Sequence, residues 1–144
     1  MIKKFIIILL AFSLNLTFGE DCAPETGWCY NQSTFQAFYI FPNVTIDGLE
    51  AEQGSATSTE ECPLEDCDII GTFINDICIG WTYATPVGNI TVPVMGDEGS
   101  DLTDGYIEWG EIPEFRIFDS SSNTIYSGMC DEDIPSYIFN EIFL

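Results

Sequence analysis

The residues of this chain best suited to chemistry are carboxylates. The stretch VPVMGDEGSDLTDGYIEWGEIPEF, Val92 to Phe115, holds seven Asp and Glu and no cation. Asp97, Glu98, Asp101, Asp104, Glu108 and Glu111 are interspersed there with Gly99, Gly105 and Gly110. Calcium takes about six to eight oxygen ligands on a chain able to curl, so acids alternating with glycine are suitable material. The EF-hand template fails. Asp97, Asp101 and Glu108 fall on its first, third and last ligand positions, but Leu102 stands where its glycine is required and Gly99 at its second ligand position. An irregular calcium loop between strands remains a possible cofactor site, and so does a solvated turn. Carboxylates about 4 Å apart repel by only about 1 kcal/mol in water, which a loop tolerates without an ion.

Other chemistry is harder to build. The chain has no His, so Ser-His-Asp and Cys-His machinery in their usual forms are excluded. Paired carboxylates for glycoside hydrolysis arise by chance among 24 acids, and nothing selects one pair. No phosphate-cradling or dinucleotide motif occurs. The expectation is a non-catalytic protein. Trp28, Trp81 and Trp109, with Tyr30, Tyr83 and Tyr106, could instead stack on a ligand. "GWTYA" places Trp81 in a strand and so in a core. Trp109, between Glu108 and Gly110 at a loop edge, is the better candidate for exposure, with Tyr106 beside it. Arg116, mid-strand in "EFRIF", reads as half of a structural ion pair, with a ligand carboxylate as its alternative partner.

These residues need a scaffold, and the chain's ends and cysteines say where it is built. Lys3 and Lys4 precede an apolar run, Phe5 to Leu14, and Thr17 and Gly19 follow at suitable positions for cleavage. That is the anatomy of a secretory signal peptide over residues 1–19, since the run falls short of the roughly 20 residues that span a bilayer. Residues 20–144 then form a single domain at the surface or outside the cell, with no membrane insertion after cleavage. Arg116 is its only Lys or Arg against 24 Asp and Glu. Such a surface repels nucleic acid and anionic lipid.

Six cysteines lie beyond the leader, Cys22, Cys29, Cys62, Cys67, Cys78 and Cys130. An even count in an exported chain argues for disulfides. Six cysteines allow 15 pairings, and the leading one joins near neighbours and then the remaining two, as Cys22–Cys29, Cys62–Cys67 and Cys78–Cys130. Zinc is the rival for "CPLEDC", but no His and no second pair at matching spacing support it. Asn31, Asn43 and Asn89 satisfy the N-glycosylation pattern.

The elements read as strands. "TFQAFYIF" alternates with period two, "VTI" continues it, and Asp47-Gly48 turns the chain. Leu49 to Asp68 is a polar, acidic surface excursion. "IIGTFI" and "ICIGWTYA" flank Asn75-Asp76, a natural hairpin tip. "NITVPVM" follows, and Pro93 puts it at an edge or a bend. "GYIEW", "PEFRIFD", "TIYSGM" and "SYIFNEIFL" complete the set. Strands about 8–12 residues apart, separated by Gly, Pro, Asn, Asp and Ser, predict an all-β antiparallel β-sandwich stapled by disulfides.

"DIIGTFINDICIGW", Asp68 to Trp81, resembles the D-x-I-G-x-F-x-x-D-x-C-x-G signature of a β-rich module common in exported proteins of gliding and marine bacteria. "VPVMGDEGSDLTDGYIEWGEIPEFRIFDSS", Val92 to Ser121, is similar to the module's second half, V-P-V-M-G-D-D-G, T-x-G-Y, then G-D-x-P-x-F-K-I-Y-D. With "QAFYIFPNVTIDG" the resemblance covers about residues 35–126. It implies a β-rich extracellular module, mostly without assigned chemistry, in proteins that often carry a C-terminal sorting domain. The chain departs from that pattern in its extra cysteine pair between Leu49 and Asp68. It also ends at "EIFL" without a sorting domain, as expected of either a lone module or an incomplete reading frame. The expected function is binding or adhesion at the cell surface, directed at a glycan or protein. The alternatives are a stalk piece that assembles by strand addition through "YIFNEIFL", and an accessory carbohydrate-binding domain.

Overall fold

A computed structural model of the protein describes residues 19–51, 67–85 and 88–144. The expected leader falls almost wholly outside them, as do Cys62 and most of the Leu49–Asp68 excursion. The described residues form strands, turns and irregular segments with no helix. None therefore offers a helix long and apolar enough to cross a membrane.

Strands β1 (Asp21–Cys22) and β2 (Cys29–Tyr30) form a short hairpin. The strands β3 (Gln36–Phe41), β8 (Ile90–Met95) and β11 (Ile142–Phe143) make one sheet in the order β11-β3-β8. A second sheet, in the order β10-β9-β6-β7, contains β6 (Ile69–Ile74), β7 (Ile77–Tyr83), β9 (Glu114–Asp119) and β10 (Thr124–Ser127). The small hairpin of β4 (Thr45–Ile46) and β5 (Leu49–Glu50) stands apart.

Turn chemistry explains the hairpins. Asn75 and Asp76 sit at φ 47° and 67°, and Asp47 and Gly48 at 52° and 80°. Two successive residues with positive φ make the mirror-image turn that matches strand twist, and Asn, Asp and Gly tolerate it best. Pro93 lies on β8, at the edge of its sheet, where a missing N–H leaves no ladder partner wanting.

The strand β6 lies between β9 and β7, and its first five residues are buried, so both of its faces are covered. On one face the Trp28 ring lies over Gly71, where an added Cβ would come within 2.6 Å of the indole, and packs edge-on against Phe73. The other face looks at the β3–β8 sheet. Thr72 donates its hydroxyl to the Pro93 carbonyl at 2.8 Å, and Phe115, the register partner of Thr72, packs edge-on against Tyr39 and Phe41. Side chains of the two larger sheets therefore meet directly, around a core that includes Ala37, Tyr39, Ile70, Ile79, Val92 and Val94. A bulge at Ile79 shifts the β6–β7 register between Thr72↔Gly80 and Phe73↔Cys78.

Three expectations need correction. "GYIEW" is not a strand. Gly105 and Gly110 take φ of 80° and 88° and fold both ends into turns, leaving Ile107 in a single bridge to Gly96. The terminal segment is not antiparallel, since β11 runs parallel to β3, with Ile142 opposite Phe38. Of the disulfides, Cys22–Cys29 forms and Cys67 is bonded too, while Cys78 and Cys130 are free thiols. Cys78 lies on β7 and Cys130 follows β10, strands at opposite edges of their sheet. Three strand spacings separate those edges, about 14 Å, against a bridging limit of about 7 Å between Cα atoms.

Candidate binding site

The acidic stretch folds first as a loop. The buried Thr103 hydroxyl accepts from the Glu98 amide at 3.2 Å and lies 3.1 Å from the Ser100 hydroxyl. The Asp97 carboxylate accepts from the Gly99 amide at 2.7 Å, an Asx turn. The Asp97 amide in turn donates to the Ile107 carbonyl at 3.0 Å, which lays the far end of the loop beside Gly96.

That return delivers residues 108–111 to the sheet end as a turn. The Glu111 amide donates to the Glu108 carbonyl at 3.2 Å, and Gly110 has φ 88° at the third position, as a type II turn requires. Glu111 closes the turn by accepting from the Glu108 amide at 2.7 Å. Trp109 is left at the tip, 63% exposed.

Tyr137 fastens this turn to the sheet. Its carbonyl accepts from the Gly110 amide at 3.0 Å, and its amide donates to the Glu111 carbonyl at 2.6 Å. Its buried hydroxyl reaches the Phe35 carbonyl at 2.7 Å, which the Gly96 amide also donates to at 2.6 Å. Burial pushes the Tyr137 phenol up to about 12. The chain then runs on beside β3, where the Asn140 amide donates to the Gln36 carbonyl at 2.6 Å. Phe139 is thereby set between two rings. It stacks on Phe35 with centroids 5.0 Å apart and planes 19° apart, and meets Trp109 edge-on at 5.2 Å and 71°. Phe35 and Phe139 are 40% and 39% exposed. Three segments distant in sequence thus build one open aromatic corner.

Glu98 adjoins it. One of its oxygens accepts from the Thr34 amide at 2.8 Å and the Thr34 hydroxyl at 2.7 Å, immediately before Phe35. The amide bond, then the hydroxyl bond, holds the Glu98 carboxyl below its usual range, so it is firmly anionic.

The structure sorts the other expected site residues. Asp101, Asp104, Glu108 and Glu111 are exposed. No three acids of the Asp97–Glu111 set bring ligand atoms within 4.8 Å of one another. Among the described residues the group that does so is Glu20, Cys22 and Cys29, whose two sulfurs are bonded to each other and are not thiolate ligands. Tyr106 is buried, its hydroxyl accepting from the Asn31 amide at 2.8 Å, and so is turned inward rather than offered to a ligand. Arg116 pairs with Asp76 and Glu114 and lies 4.2 Å over the Phe73 ring, the structural role that its mid-strand position predicts. Phe35 and Phe139 are additions. Period two put Phe35 on the core face of its strand, but it lies one residue before β3 begins and is left partly exposed.

No family model matches the chain, and no curated protein or solved structure matches it significantly. What the fold and site define is a class: an all-β, disulfide-bearing protein that displays an aromatic corner on a strongly acidic surface.

Proposed function

We propose that this chain is an exported, non-catalytic binding module of the cell surface, a two-layer β-sandwich that recognises its partner through the corner of Phe35, Phe139 and Trp109. It belongs, in this reading, with the β-rich modules of gliding and marine bacteria that its motifs resemble. The observation that carries the proposal is the cost of displaying those rings. Each leaves apolar surface in water that burial would remove at about 25 cal/mol per Å². Yet the backbone around Tyr137 fixes them there. Facing sheets that meet through Phe115, Tyr39 and Thr72 support the sandwich. The exported location rests on the basic and apolar leader and on the oxidised Cys22–Cys29 pair.

A second reading, an accessory carbohydrate-binding domain, is favoured by the exposure of Trp109, whose indole face could stack on a sugar. The stalk reading is favoured less, because "YIFNEIFL" is already engaged by its own Gln36 and Phe38. Calcium would require the Asp97–Glu111 acids to leave their present arrangement.

Affinity electrophoresis tests the proposal, with gels carrying neutral glucan, chitin fragments, chitosan or a basic protein in turn. Wild type should be retarded by at least one polymer, and Trp109→Ala and Phe139→Ala should lose most of that retardation. A wild type retarded by none, or ring variants retarded as strongly as wild type, would refute it.

A further inference from the structure

We propose that the aromatic corner binds a basic peptide segment of a partner protein, with a lysine stem laid along the rings and its ammonium held among the carboxylates. This deepens the binding reading above and rests on it. The first support is electrostatic. The chain carries a formal charge of −21, and the described residues contain a single Lys or Arg, namely Arg116. That residue is committed to Asp76, Glu114 and the Phe73 ring. The corner therefore has no cation of its own chain among the described residues, although three ring faces and edges converge there. An aromatic face is the negative end of a quadrupole and attracts an ammonium within about 6 Å of its centre.

The second support is placement. Glu98 is fixed against Thr34, next to Phe35, and Glu108 and Glu111 flank Trp109 on either side of its turn. Aromatic walls and an acidic rim thus share one corner. A lysine suits both, because its four-carbon stem packs on apolar surface while its head stays with charge and water. A neutral glycan could stack on the rings, but the field of so acidic a chain would add little to its affinity. An anionic glycan or nucleic acid would be repelled.

Fluorescence provides a local probe, since Trp28 and Trp81 are buried and Trp109 is exposed. A lysine-rich peptide, its fully acetylated counterpart and a neutral glucan oligosaccharide would be titrated into the intact protein at low and high salt. The lysine peptide should change the Trp109 signal and bind more weakly at high salt. Acetylation should weaken it at least about tenfold, and Trp109→Ala at least about fivefold by isothermal titration. A control variant at the β9–β10 turn, Asp119→Asn, should bind within about twofold of wild type. Equal binding of the acetylated peptide overturns the inference, and so does a Trp109→Ala variant that binds the lysine peptide as tightly as wild type, which would mean bulk charge alone. Ring-dependent binding of the glucan with no peptide binding also overturns it, but leaves the binding-module reading standing. Absence of ring-dependent binding to any polymer or peptide overturns both.

Discussion

Gly96 is where the site and the fold can be perturbed together. A Cβ at that position would lie 2.2 Å from the Tyr137 hydroxyl oxygen, 2.8 Å from its ring carbon and 3.0 Å from the Phe35 carbonyl oxygen. Ordinary carbon–oxygen contacts begin near about 3.3 Å. In Gly96→Ala the tyrosine must therefore retreat by about an ångström, which breaks its 2.7 Å bond to Phe35. Overpacking a full interior costs about 1–3 kcal/mol, and the lost hydrogen bond about 1 kcal/mol more. The variant should be destabilised by about 3 kcal/mol. Tyr137→Phe alone should cost about 1 kcal/mol, because the Phe35 carbonyl keeps its bond from the Gly96 amide.

The double variant is the decisive measurement. Removing the hydroxyl abolishes the worst contact but leaves the ring carbon close to the new methyl group. Combined destabilisation should be about 2–2.5 kcal/mol, against about 4 kcal/mol if the changes were independent, a coupling of about 1.5–2 kcal/mol. Urea denaturation measures each term, and an unchanged slope confirms that the same surface is exposed on unfolding. Acrylamide quenching of Trp109 follows the site, and Gly96→Ala should alter it more than Tyr137→Phe does. Additivity within about 0.5 kcal/mol would refute the claim that Gly96 and Tyr137 share one packed contact.

Alkali should unfold the protein. Burial raises the phenols of Tyr30, Tyr39, Tyr83 and Tyr137, the last two to about 12. The unfolded chain ionises first, so stability should be level below the ordinary phenol value near 10 and fall as pH rises from about 10 towards 12. Phenolate absorbance rising to completion near 10 with circular dichroism intact would contradict this. Replacing Cys22 and Cys29 by serine opens a closure of sequence separation 7 and should cost about 2.5 kcal/mol in urea. Identical curves for wild type with and without reductant would count against that bond. Native labelling should reach the exposed Cys130 first, while the thiol of Cys78, pushed up to about 11 by burial, reacts after denaturation. Intact mass after denaturing alkylation should show both thiols modified, and finding neither would restore the Cys78–Cys130 bridge.

The parts legible in the sequence were those written locally. Asn75-Asp76 and Asp47-Gly48 specify their turns through conformations few other residues accept. The alternation around Ala37 and Tyr39 specifies which face of β3 is buried. Trp109, placed between an acid and a glycine, was legible as exposed. What failed to show was written across the chain. Phe35 and Phe139 meet over a separation of more than 100 residues, and no spacing rule couples them. "GYIEW" carries the composition of a strand, yet the glycines at Gly105 and Gly110 override it. The Cys78–Cys130 pairing failed for the same reason, since whether those two thiols can meet depends on the order of strands in a sheet, which pattern alone does not fix.

The acids of Val92–Phe115 take on a different meaning once their donors are known. Asp97 is occupied by the Gly99 amide, Glu98 by Thr34 and Glu111 by the Glu108 amide. Each of these carboxylates satisfies a backbone N–H that a chain leaving a sheet would otherwise expose, so the acids build turns before they could bind anything. The turns carry the chain from Gly96 past Ile107 to Trp109, and Tyr137 fastens the result to β3. Charge remains as a by-product of that construction. Because the carboxylates of Glu98 and Glu111 hold the segments that carry the rings, and Glu108 stands exposed at the start of the Trp109 turn, the corner inherits a negative rim. On the reading proposed above, a binding surface made this way discriminates by charge, with carboxylates that first serve to build its turns.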